Sequence, residues 1–169
     1  MSKRPILAST VLLMAILVAL RLPVSAGKPR AAEAITLDFD TAAVGELPAG
    51  FSIAVTGAGG KAFWSVVEDS TAPNRGKALA QTSTEKTSYR FPLCVYDELM
   101  TTEVAVSVWF KPIGGMMDQA AGRVARYRDK DNYYIVRANA LEDNVRFYKM
   151  ERCERRQPAG INVKVLSGQ

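Results

Sequence analysis

The chain has 169 residues, a formal charge of +5 and not one histidine. The missing imidazole excludes Ser-His and Cys-His nucleophile pairs, histidine-rich zinc sites and imidazole general bases together. Lys3, Arg4 and Arg21 flank an N-terminal apolar run; without them the charge falls to +2, which removes any case for nucleic acid as a partner.

Lys3 and Arg4 form a positive n-region, Ile6 to Leu20 is apolar or small throughout, and Val24-Ser25-Ala26 offers small residues where a signal peptidase reads. Residues 1–26 are therefore expected to be a secretory signal cleaved after Ala26, giving an exported protein, periplasmic or extracellular. The apolar run is shorter than the ~20 residues a spanning helix needs, and Arg21 closes it, so no stable membrane span is expected once the leader is gone. Gly27, not a cysteine, stands directly after the cleavage point, and the Lys-Arg pair is not a twin-arginine signal. Residues 27–33 read as a short linker, and 34–169 as one domain.

From residue 34 the periods are those of strands. "ITLDFD" (35–40) alternates, "FSIAV" (51–55) runs into the turn signal "TGAGG", and "AFWSVVE" (62–68), "KALAQTS" (77–83) and "SYRFPLCV" (88–95) follow. Pro92 is expected to place the last of these at an edge or bulge. The clearest alternation is "EVAVSVWFKPI" (103–113), where Val104, Val106, Val108 and Phe110 point one way and Ala105, Ser107, Trp109 and Lys111 the other. Beyond it come "GRVARYR" (122–128), the "DKDN" turn, "NYYIVRA" (132–138), the "NALEDN" loop, "VRFYKM" (145–150) and "GINVKVL" (160–166). Many short strands with no long amphipathic helix predict an all-β antiparallel sandwich or jelly roll. In "NYYIVRA", either Tyr133, Ile135 and Arg137 or Tyr134, Val136 and Ala138 can face inward. Cys94 and Cys153 are the two cysteines; an oxidising compartment permits a disulfide between them, and spacing alone leaves both states open.

The stretches "FWSVVED", "ALAQTS" and "VAVSVWFKPIGGMMDQAAGRVARYRDKDNYYIVRANALEDNVRFYKM" resemble the secreted 3-keto-disaccharide hydrolase-like domains of the concanavalin A-like lectin/glucanase superfamily, which also holds laminin-G modules. The resemblance covers most of 35–166 and is most specific between Gly114 and Lys149. It implies a concanavalin A-like jelly roll. In that family the pattern continues past a Gly-Gln pair into further strands, so a chain ending at Gly168-Gln169 is expected to lack the last strands of the sandwich.

Fold does not fix function, so the chemistry has to come from side chains. A retaining glycosidase needs two carboxyl groups about 5 Å apart. Family 16 glycosidases of this fold supply them through a Glu-x-Asp-x-Glu type motif, and no Glu here is followed two residues later by Asp. Asp38 with Asp40 is the weak catalytic candidate. Asp129, Asp131, Asp143 and Asn144 are the weak candidates for calcium; they match no dedicated calcium loop, so no cofactor is expected. Asp and Asn in "DKDN" and "NALEDN" suit local backbone hydrogen bonding, which gives Asn139, Asp143 and Asn144 a loop-shaping role. Binding has better support. Trp109, Arg126, Arg137, Arg146 and Tyr148 are expected to share one sheet face if their strands are neighbours, and aromatic rings with planar guanidinium groups suit a glycan or similar polyhydroxylated ligand. The two alternatives are a glycoside hydrolase acting on a disaccharide or its keto derivative, and a protein-binding adhesion module.

Overall fold

Alternation of apolar and polar side chains yields eight strands and, among the described residues, no helix and hence none long and apolar enough to cross a membrane. The computed structural model describes residues 34–73 and 76–168; the expected leader (1–26) and linker (27–33) lie outside the described residues. The chain divides into two units, Met1–Ile35 and Thr36–Gln169, and every strand belongs to the second. β1 (Phe51–Gly57) pairs with β4 (Arg90–Tyr96), and β2 (Trp64–Glu68) pairs with β3 (Lys77–Gln81). β5 (Ala120–Asp129), β6 (Asn132–Asn139), β7 (Asn144–Glu151) and β8 (Glu154–Asn162) form a four-stranded meander in that order. All these pairings are antiparallel.

The meander has its apolar load at one end of one face. β6 turns Tyr133, Ile135 and Arg137 inward, which resolves the choice its sequence left open. Tyr133, Met150 of β7 and Leu93 of β4 form the buried core, with Ala54, Phe91, Val95, Val124, Tyr127 and Ile135 packed around them. The β1–β4 ribbon thus covers the end of the sheet nearest the β5–β6 turn. Thr56 is fully buried; its hydroxyl donates to the Lys130 carbonyl and meets the Tyr133 hydroxyl at 2.9 Å, pinning the "DKDN" turn to β1. Asp129 shapes that turn, accepting from the Asp131 backbone at 2.8 Å and from the Asn132 amide at 2.8 Å. Arg155 of β8 closes the region from the far side, with its guanidinium 5.7, 4.8 and 4.7 Å from the ring centres of Tyr89, Phe91 and Tyr148. A cation held among three rings joins ribbon and sheet by attraction to their π faces as well as by area.

Two prolines sit where the ladder can spare an N–H. Pro92 lies in β4 opposite Val55, and β4 has β1 as its one strand neighbour, in keeping with the edge expected from sequence. Pro158 lies in β8, where the register against β7 shifts between Phe147 and Lys149. The cysteines are unpaired: Cys94 lies in β4, where burial pushes its thiol up to about 11, and the exposed Cys153 thiol lies 2.8 Å from an Asp131 carboxylate oxygen.

Three expected strands differ. Residues 35–40 form no strand: Phe39 takes a positive φ of 62°, Asp38 accepts the Asp40 N–H at 3.1 Å, and the Lys77 ammonium donates to the carbonyls of Asp40 and Ala42. Side chain to backbone bonding has displaced the ladder there. The last strand begins and ends earlier than "GINVKVL", at Glu154 and Asn162: the β7–β8 turn is tight, and beyond Asn162 Asp143 takes over the bonding, accepting Val163 N–H through its carbonyl and Val165 N–H through its carboxylate. The third departure is the largest. "EVAVSVWFKPI" is extended by sequence, yet it belongs to no sheet, and its residues from Glu103 to Trp109 are exposed. Period-two alternation specifies which side chains share a face; it does not supply a neighbouring strand.

That segment is held at its ends. Glu103 reaches Arg126 at 3.4 Å, the Lys111 ammonium lies 2.5 Å from Asp69 and 2.6 Å from the Thr71 hydroxyl, and the Pro112 carbonyl accepts the Gly168 N–H at 2.7 Å. The hydrogen bond from Lys111, followed by those from Thr71, lowers the Asp69 carboxyl from its ordinary 3.8 to about 2. A folded value below the unfolded one stabilises above the unfolded pKa and is lost as pH falls through the folded one, so this anchor is expected to persist at pH 4 and release toward pH 2. Carboxyl-detected NMR titration should place the Asp69 midpoint near 2 and, in Lys111→Met, move it up toward 3.8. A wild-type midpoint near 3.8 would show that the anchor does not form.

Candidate ligand-binding face

The strand register assembles the site. Residues directly opposite in an antiparallel ladder share a face. One row across the meander reads Gly122–Arg137–Arg146–Gly160, and the next, nearer the β6–β7 turn, reads Ala120–Asn139–Asn144–Asn162. Both rows continue the face that carries the core, beyond the part covered by the ribbon. That face is therefore apolar at one end and carries amides and guanidinium groups at the other.

Its polar end is tied together through Arg137. The Arg137 guanidinium donates to Asp118 at 3.2 Å, to Glu142 at 3.0 Å and to the Tyr148 hydroxyl at 3.3 Å, and lies 5.6 Å from the Tyr148 ring centre. Asn139, fully buried, donates to Asp118 at 2.5 Å and accepts Leu141 N–H at 3.0 Å, so it shapes the loop as the sequence suggested. Asn144, also buried, donates to Glu142 at 2.9 Å, while its carbonyl oxygen and the Arg137 Nε have no protein partner. Burial works against the Arg137 charge, but the Tyr148 hydroxyl and the two carboxylates more than offset it and its pKa rises. Glu142 moves the other way, held below the usual carboxylate range by the Asn144 amide and then by Arg137.

Arg146 is differently placed. It donates to the Ile161 carbonyl at 2.9 Å and to the Asn162 side chain at 2.7 Å, lying flat over Gly160. Among the described residues no carboxylate pairs with it. Like charges directly opposite each other destabilise a ladder. Arg137 and Arg146 stand opposite, yet both acids on this face serve Arg137.

Of the five side chains expected to converge, Arg137, Arg146 and Tyr148 share this face. Trp109 and Arg126 do not join them. Trp109 stands 86% exposed on the unpaired segment. Arg126, at a positive φ of 51° in the irregular part of β5, lines an open cleft of about 570 Å³ with Glu103, Arg128, Tyr134 and Lys149, and the last two belong to the opposite sheet face. The candidate calcium ligands separate as well: Asp129 and Asp131 lie before β6 and Asp143 and Asn144 after it, roughly 23 Å apart at ~3.3 Å per strand residue. No three acidic or sulfur side chains form a metal-sized group among the described residues. Asp38 and Asp40 lie in the N-terminal turn described above, on none of these strands.

Sequence reasoning missed Asp118, Glu142, Asn162 and the two glycines. The mirrored string "RANALEDNVR" places Arg137 opposite Arg146 and Asn139 opposite Asn144 in a hairpin, but it carries no sign of the part these five play. Compared with protein-family profiles, with curated protein sequences and with solved structures, the chain finds no significant match to any.

Proposed function

We propose that the chain is an exported β-sandwich module of the concanavalin A-like jelly-roll type that binds a glycan or similar polyhydroxylated ligand on the polar end of its four-stranded sheet. The observation that carries this reading is the Gly122–Arg137–Arg146–Gly160 row: two planar donors at the centre, flanked by glycines, with the Arg146 side chain laid over Gly160. Guanidinium forks and amides suit vicinal hydroxyls and carboxylates. Arg146, free of any acidic partner among the described residues, favours a ligand carrying a carboxylate, such as an acidic sugar. The resemblance to secreted carbohydrate-associated domains points the same way.

A hydrolase is the second reading, favoured by one observation: Asp118 and Glu142 both converge on Arg137. General-acid catalysis needs a carboxyl whose pKa is raised. Of the two, Glu142 is held below the usual carboxylate range, the opposite of what a general acid needs.

Isothermal titration of the protein with neutral and uronic-acid oligosaccharides tests the proposal. Acidic sugars should bind, and Arg146→Gln should weaken them by about 10- to 100-fold, the value of a hydrogen bond to a charged group. Equal binding by wild type and Arg146→Gln, or none by either, would overturn it. Release of reducing sugar, lost in Glu142→Gln, would replace it with the hydrolase.

A further inference from the structure

The segment Glu103–Lys111 presents a second feature that the sheet face does not explain. It belongs to no strand, holds no residue at positive φ, and among the described residues no N–H or carbonyl from Val104 to Lys111 has a protein partner. Val104, Val106, Val108 and Trp109 are all exposed, as are Met100 before the segment and Ile113 after it. Unpaired backbone carrying alternating exposed apolar side chains is a template for another strand. The order of its residues says which strand.

We infer that Glu103–Lys111 pairs with the same segment of a second copy, antiparallel about a two-fold axis at Ser107. A two-fold interface must be complementary to itself. In this register Glu103 faces Lys111 of the other copy at both ends, Val104 faces Phe110, Ala105 faces Trp109, Val106 faces Val108, and Ser107 faces its own counterpart. The large Trp109 ring meets the smallest side chain of the segment, and the valine side is apolar throughout. Registers slipped by two residues put Glu103 opposite Trp109 or Ile113 and lose both ion pairs.

The charged ends are available for this. Glu103 is 87% exposed in its side chain and holds Arg126 at the long distance of 3.4 Å. An ammonium has three protons, and Lys111 uses two, on Asp69 and Thr71, leaving the third for Glu103 of the partner. The same contacts fix the segment's C-terminal end, so part of the ordering needed for pairing is already in place.

Two measurements test the pairing on the full chain. In a Cys153→Ser background, Ser107→Cys should form a covalent dimer under mild oxidation and Ala105→Cys should not, because Ala105 faces Trp109 and not itself. Hydrogen exchange of the unmodified protein should slow at alternate amides from Val104 to Phe110 as concentration rises, and Glu103→Lys should raise the dimer dissociation constant by about tenfold. Alternate-amide protection is the mark of one antiparallel neighbour. A protein that stays monomeric with concentration-independent exchange overturns the inference, as does a dimer that cross-links equally at 105 and 107 or forms elsewhere on the surface.

Discussion

Replacing Tyr133 with alanine is expected to lower the unfolding free energy by ~3–5 kcal/mol, the range for removing a large aromatic side chain from a core. Tyr133 is 3% exposed, packs with Leu93 and Met150, and holds the Thr56 hydroxyl from across the ribbon. Tyr133→Phe separates ring from hydroxyl. It should lose only about 1 kcal/mol, because Thr56 keeps the Lys130 carbonyl as a partner. Urea denaturation at constant m-value reads both. A loss below 1 kcal/mol for the alanine variant would mean that the β1–β4 ribbon does not rest on the meander at this point.

Gly122→Ala comes next in effect. A methyl group built there would lie 2.0 Å from the Val136 carbonyl oxygen and 2.7 Å from the Arg137 Cα, both backbone atoms of the adjacent strand. Backbone cannot rotate out of the way, so β5 has to shift against β6, at a cost of ~1–3 kcal/mol or more. The shift also carries Arg137 away from Asp118. Gly160→Ala is the contrast: its methyl group would meet Arg146 Cδ at 2.6 Å and Nη1 at 2.9 Å, a side chain that can turn aside, and the Val145 carbonyl oxygen at 3.1 Å, which needs a shift of only a few tenths of an ångström. That variant should unfold close to wild type in urea while ligand affinity falls. Equal behaviour of the two variants would contradict the flat row of the sheet.

The meander was legible because its residues carry two signals together. β6 and β7 alternate, and "DKDN" and "NALEDN" contain the Asp and Asn residues that turns use, so strand, turn and pairing were fixed by neighbours in sequence. The face of β6 was not, since Tyr133 and Tyr134 are the same residue type and only contact with Leu93, a distant residue, separates them. The 103–113 stretch shows the opposite failure. Its alternation is the strongest in the chain, yet a pattern within one strand holds no information about what lies beside it. The site was half visible for a related reason. Arg137, Arg146 and Tyr148 follow from alternation, whereas Asp118 and Glu142 arrive from loops whose course no period describes, and Trp109 depended on a sheet pairing that is not formed.

Pro158 has no proton to offer an arriving strand, and it lies in a register break with Arg155 and Arg156 just before it. A visiting chain that tried to extend the meander past β8 would meet a gap in the ladder and a positive charge within a few residues. Addition of a further strand is therefore disfavoured beside Pro158.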